Sequence, residues 1–239
     1  MINLDDLINK ITCADCMDIL KQLPDKCIDL VLTDPPYILE THGGRTSTTS
    51  LGQRANRLRD NTNFVSFGFD QENIFRELKR ICNPFNAYIF CSNKQISQIM
   101  SYFEKDYATT LLVWHKTNAI PLANLNYHSD LEFIVCVRDK GSYFNNDATL
   151  KQKSKLYEMS YPMGDRLHPT QKPVDLIGQL LNMKSQENDL VLDCFSGSGT
   201  TAIACHRLKR RFICIERDKD YWEASCKRLE DEQRQGVLL

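Results

Sequence analysis

The chain has 239 residues, of which 42% are hydrophobic and 26% charged, and its 30 basic and 31 acidic side chains leave a formal net charge of −1. That is the make-up of an ordinary globular protein with material for a sizeable core, and it excludes collagen-like, disordered and channel-forming chains. The even charge balance advertises no polyanionic partner, although clustered charge would still serve one.

Short apolar runs alternate with longer amphipathic ones along the chain. Lys10 to Ala14 is a weak strand candidate, followed by a helix over Asp15 to Leu23. Ile28 to Thr33 is the strongest strand pattern. After a long irregular stretch, Glu72 to Ile81 reads as a helix, Asn86 to Ser92 as a strand, and Lys94 to Phe103 as a helix. Thr109 to His115 and Leu131 to Val137 are two further strands. Then come a helix from Pro173 to Met183, a strand at Leu190 to Asp193 and a helix at Thr200 to Leu208. A strand at Arg211 to Ile215 and a helix from Lys219 to Glu232 complete the series. This alternation predicts an α/β fold with a largely parallel sheet, in which ligands bind beyond the carboxyl ends of the strands.

One domain, residues 1–239, accounts for the length. Two stretches interrupt its rhythm and read as inserted loops, 38–70 and 139–167. The first holds Arg45, Arg54, Arg57 and Arg59; the second holds Lys151, Lys153 and Lys155. Loops of such length tend to be functional. The ten cysteines are scattered, several within apolar runs, as expected for buried thiols in a reducing compartment. Cys13 and Cys16 have no second pair at zinc-like spacing, so no metal site is expected. The opening Met-Ile-Asn-Leu-Asp-Asp has neither the basic nor the apolar region of a secretory signal. No apolar run approaches the roughly 20 residues that span a bilayer. A cytoplasmic protein without membrane association is expected.

Two motifs carry chemistry. Asp193-Cys194-Phe195-Ser196-Gly197-Ser198-Gly199-Thr200-Thr201 leads from a strand through glycines into a helix. Such a loop can approach a nucleotide-like cofactor closely, and Glu216 at the end of the next strand is placed for ribose hydroxyls. By itself the loop suits NAD, a nucleotide or S-adenosylmethionine. Asp193 would repel a pyrophosphate but can pair with an ammonium, which favours S-adenosylmethionine. The second motif, Asp34-Pro35-Pro36-Tyr37, directly follows a strand. Consecutive prolines remove two N–H donors and leave carbonyls, a carboxylate and an aromatic ring on a stiff support. That set suits a planar ligand with an exocyclic amine, its N–H groups bonded to Asp34 and a proline-region carbonyl and its face stacked on Tyr37.

Both motifs resemble those of the amino-methylating DNA methyltransferases, which modify adenine at N6 or cytosine at N4. Asp34 to Tyr37 looks like their catalytic motif and Asp193 to Thr201 like their cofactor loop. His168-Pro169-Thr170-Gln171-Lys172-Pro173 resembles the segment that closes over the methionine end of the cofactor. The catalytic motif precedes the cofactor loop, a permuted order similar to that of the β group. Weaker likenesses are Cys91-Ser92, Val113 to Asn118, and Ala14-Asp15-Cys16.

The resemblance implies a Rossmann-like methyltransferase fold, with a largely parallel seven-stranded sheet containing one antiparallel strand. It implies S-adenosylmethionine as cofactor. Asp15, Cys16, His168, Thr170, Gln171, Lys172, Asp193, Phe195, Gly197, Gly199, Thr200, Thr201 and Glu216 would line its site. Asp34, Pro35, Pro36 and Tyr37 would be catalytic. Arg45, Arg54, Arg57, Arg59, Lys116 and Asn118 would contact double-stranded DNA. Two of these have plain structural alternatives: Asp15 as a helix cap and His168 as a loop histidine. The expected reaction is methyl transfer to the N6 amine of adenine in duplex DNA, with the base flipped out of the helix. Asp34 favours adenine, because cytosine-N4 enzymes commonly have Ser there. The alternatives are cytosine N4, RNA or protein glutamine as substrate, an NAD-dependent dehydrogenase, or an inactive DNA-binding relative. A homodimer and a cognate restriction endonuclease are expected partners of such an enzyme.

Overall fold

A computed structural model describes residues 2–36, 70–119, 127–163 and 171–236. Its strands are β1 (Lys10–Cys13), β2 (Leu30–Thr33), β3 (Asn86–Cys91), β4 (Ala108–Lys116), β5 (Leu131–Arg138), β6 (Leu156–Met159), β7 (Leu190–Asp193) and β8 (Arg211–Glu216). They form one sheet in the order β1-β8-β7-β2-β3-β5-β4-β6. β5 runs antiparallel to β3 and β4, and every other neighbouring pair is parallel.

The sheet therefore has eight strands where seven were expected. The extra one, β6, lies at the edge and comes from the stretch 139–167, which the sequence presents as a loop. Four residues that bury only Tyr157 beneath flanking lysines leave a weak strand signal. The central strands β2, β3 and β7 are buried at every residue, which explains their unbroken apolar sequences.

The helices are α1 (Cys16–Leu20), α2 (Gln71–Ile81), α3 (Ile96–Phe103), α4 (Val174–Lys184), α5 (Thr200–Arg207) and α6 (Lys219–Gly236). Asp15 caps α1 through the Met17 amide and Asp70 caps α2 through the Asn73 amide. α2 turns Ile74, Phe75, Leu78 and Ile81 inward at helical spacing. Alternate strand residues feed two cores. On one face Val31, Ile89, Val135, Leu192 and Ile213 pack with α1, α2 and α3. On the other, Leu32, Phe90, Ile134, Val191 and Cys214 pack with α4, α5 and α6.

The order of strands fixes where a ligand belongs. From β7 the chain passes through α5 to β8 on one side; from β2 it passes through α2 to β3 on the other. The connections diverge between two adjacent parallel strands, and such a switch point opens a crevice at their carboxyl ends. The Asp34 motif leaves β2 there, and the glycine loop leaves β7 beside it.

Candidate active site

The two loops are knotted at their roots. The Thr33 hydroxyl donates to Asp193 Oδ1 at 3.3 Å and accepts the Cys194 amide at 3.3 Å. Asp193 Oδ1 also accepts the Phe195 amide at 3.1 Å, and Oδ2 accepts the Thr201 hydroxyl at 2.6 Å. One carboxylate so joins β2, β7, the glycine loop and α5. Burial pushes the Asp193 carboxyl up to about 7, against its hydrogen bonds from Thr201, Phe195 and Thr33.

Beyond Asp193 the backbone turns through Gly197 and Gly199, with φ of 48° and 72°. A Cβ at Gly199 would lie 3.1 Å from both Ile11 Cδ1 and Ser225 Cβ, so this glycine lets α6 and β1 close on the loop. Arg228 of α6 donates to the Ser198 carbonyl at 2.9 Å and to Thr200 Oγ1 at 3.1 Å. Thr200 Oγ1 in turn donates to the Lys172 carbonyl at 3.4 Å. At the end of β8, Glu216 Oε2 accepts the Gly197 amide and Oε1 the Asp218 amide, each at 2.8 Å. Burial raises the Glu216 carboxyl, and those two amides oppose it.

This set fits a cofactor that carries a ribose and an amino acid. Each Glu216 oxygen keeps a lone pair for a hydroxyl. The Ser196 hydroxyl is buried in the loop without a hydrogen-bond partner, a polar group placed for a ligand to satisfy.

On the β2 side, Lys172 Nζ lies 2.6 Å from Asp34 Oδ2 and also bonds Glu132 Oε1. Glu132 Oε2 takes a second ammonium, Lys116 Nζ, at 3.0 Å. The result is a row of alternating charge, Asp34, Lys172, Glu132 and Lys116, against an aromatic wall. Lys172 Nζ stands 5.0 Å from the Phe90 ring centre, and Lys116 Nζ stands 5.2 Å from Trp114 and 5.7 Å from Tyr161. Burial works against the Lys172 ammonium, but Asp34 and Glu132 outweigh it and raise its pKa. Gln95 secures the proline segment: its Oε1 accepts the Ser92 amide and hydroxyl, and its Nε2 donates to the Pro36 carbonyl at 3.2 Å.

The structure thus gathers Asp34, Pro35, Pro36, Lys172, Asp193, Phe195, Gly197, Gly199, Thr200, Thr201 and Glu216 around one crevice, with Gln171 half-buried beside Lys172. Lys172, expected at the cofactor, aims its ammonium at the Asp34 carboxylate instead, because two carboxylates await it there. Asp15 and Cys16 follow β1, two strands from β7. Asp15 caps α1 and stands 3.9 Å from Arg217, and burial pushes the Cys16 thiol up to about 12.

Two residues expected at DNA are engaged inside the protein. Lys116 is paired to Glu132. The Asn118 amide donates to the Tyr161 carbonyl at 2.9 Å and accepts its amide at 2.6 Å, which prolongs the pairing of β4 with β6. Tyr37, Arg45, Arg54, Arg57, Arg59, His168 and Thr170 lie outside the described residues. Sequence reasoning missed Glu132, Gln95 and Arg228. Only Glu132 left a signal: a carboxylate inside an apolar strand must find a cation.

Comparison with known proteins agrees on one family. The profile of the N6/N4 family described as DNA methylase matches residues 28–227. The Type II methyltransferase M.HinfI of Haemophilus influenzae is 29% identical, over 96% of this chain and 70% of its own. The Type II methyltransferase M.HpaI of Haemophilus parainfluenzae is 30% identical, over 93% and 74%. The crystal structure of the M1.HpyAVI–SAM complex matches with a TM-score of 0.69 at 29% identity, over 92% of this chain and 99% of that one. The cytosine-N4-specific PvuII DNA methyltransferase shares the fold, with a TM-score of 0.67 at 15% identity, over 94% and 91%.

Proposed function

The chain belongs to the N6/N4 DNA methylase family, and from that premise we propose that it methylates the N6 amine of adenine in duplex DNA with S-adenosylmethionine as donor. The observation that carries the reading is the adjacency of the Asp34 segment and the glycine loop at the ends of β2 and β7, locked by Thr33 and Asp193.

The cofactor supplies a methyl group on a sulfonium, already activated for transfer to a nucleophile. Glu216 holds its ribose hydroxyls, Ser196 and the bare backbone at Gly197 meet its body, and Asp193 anchors the loop beneath it. The protein's remaining task is to make the exocyclic amine nucleophilic, since its lone pair is delocalised into the ring. Asp34 accepts one N–H. Gln95 already occupies the Pro36 carbonyl, so the Pro35 carbonyl is the second acceptor. Two acceptors on one nitrogen favour a tetrahedral geometry, which frees the lone pair for in-line attack. The methylated nitrogen bears a positive charge until it sheds a proton, and Asp34 is the nearest carboxylate to stabilise it. Tyr37, four residues into the motif, serves as the platform for the flipped base.

The motif order supports the β group. The arginines between residues 41 and 60 and the stretch 139–167 are the regions that contact and read DNA. A homodimer, and an endonuclease sharing the target site, belong to the same reading.

The test incubates purified protein with unmethylated duplex DNA and S-adenosylmethionine, then identifies the nucleosides by mass spectrometry. N6-methyladenine from the wild type and none from Asp34→Ala is the expected result. N4-methylcytosine would keep the mechanism and overturn the base; no methylated nucleoside, with cofactor bound, would overturn the activity.

A further inference from the structure

We propose that Glu132 is a positioning residue for methyl transfer, acting through Lys172: it shares the Lys172 ammonium with Asp34 and takes it over when the target amine claims Asp34. The inference rests on the reading above, in which Asp34 accepts the amine.

Glu132 is the second residue of β5, paired across the sheet with Trp114, and its side chain is 8% exposed. Each of its oxygens faces an ammonium, Lys172 on one and Lys116 on the other. The row from Asp34 to Lys116 sums to zero charge, so no ion in it is buried uncompensated.

That arrangement answers a conflict at Asp34. Lys172 already donates to Asp34 Oδ2 at 2.6 Å. An exocyclic amine is also a donor and competes for the same carboxylate. A lysine displaced with no other acceptor would leave an ammonium stranded in a buried site. Glu132 prevents this. It is bonded to Lys172 before the amine arrives, and the Phe90 face backs the same ammonium. Exchange then needs only a shift of Lys172 toward Glu132, with no bond made or broken. Asp34 keeps its full negative charge for the nitrogen that becomes positive during transfer. Lys116 balances the other Glu132 oxygen throughout.

The experiment measures kcat and KM for methyl transfer from tritiated S-adenosylmethionine to unmethylated genomic duplex DNA, with cofactor affinity measured separately. Wild type, Glu132→Gln, Lys172→Met and the double variant are compared. Glu132→Gln is expected to lower kcat by about tenfold or more while KM for DNA and cofactor affinity stay within about threefold. The second substitution should cost little beyond Lys172→Met alone, because both remove the same device. Wild-type kcat in Glu132→Gln, or losses that multiply in the double variant, would overturn the proposal. If Glu132→Gln does not unfold cooperatively, Glu132→Asp carries the test: its kcat deficit must vanish in the Lys172→Met background, and a deficit that persists overturns the proposal. A wild-type protein inactive on all DNA would instead defeat the underlying reading of Asp34.

Discussion

The Thr33 hydroxyl bridges two strands that share no local sequence, giving its proton to Asp193 Oδ1 and receiving one from the Cys194 amide, each over 3.3 Å. Thr33→Val keeps the shape but leaves a buried amide and a buried carboxylate oxygen short of a partner. Urea unfolding should show a loss of about 1–3 kcal/mol. Titration with S-adenosylmethionine should show weaker binding, because the cofactor loop starts at this joint.

Asp193 also sets a pH dependence. Burial raises its carboxyl to about 7 in the folded protein, from 3.8 as the ordinary value. Between those limits the folded state holds a proton that the unfolded state has released. This group's contribution to stability therefore grows as pH falls from about 7 toward 3.8, and is lost as pH rises through about 7. Asp193→Asn removes the titrating group. Comparing unfolding free energies at pH 5.5 and pH 8, roughly the two sides of that transition, wild type should gain on the variant at the acid value. Parallel behaviour would contradict this.

Gly199 combines a φ of 72° with contacts that admit no side chain. Gly199→Ala should destabilise the protein by about 1–3 kcal/mol in thermal or urea unfolding. Adding Ser225→Gly should restore only part, since it relieves the contact with α6 and not the backbone conformation.

Gln95 is the one described side chain whose amide holds the Pro36 carbonyl. Gln95→Ala should free that segment and lower kcat by about tenfold, by misplacing Asp34 and Pro35. Cofactor affinity should be unchanged, because Gln95 touches nothing in the glycine loop. Equal losses in both quantities would show a general loosening of the site.

The sequence made the central architecture legible because its physics is local. Leu30 to Thr33 and Leu190 to Asp193 read as buried strands since every residue in them is buried. Gly197 and Gly199 stood out because only glycine takes such turns easily. β6 escaped notice, being short and half-exposed at an edge. The ammonium of Lys172 was beyond reach for another reason. Its partners Asp34 and Glu132 lie far away along the chain, and no periodicity encodes where a flexible side chain ends. Asn118 misled because a polar residue after a strand looks available, whereas its amide imitates a strand's own hydrogen bonds.

The joint between Thr33 and Asp193 spans 160 positions of sequence, which has a bearing on how the protein is born. A ribosome adding roughly 5–20 residues each second releases β2 on the order of 10 s before its neighbour β7 exists. Throughout that interval the nascent chain shows a bare, apolar strand edge of the kind that invites wrong pairing. It also carries the methyl-accepting half of the site with no seat for the donor. Activity consequently arrives all at once, with the last third of the chain, and a product cut short before β7 would be both inert and sticky.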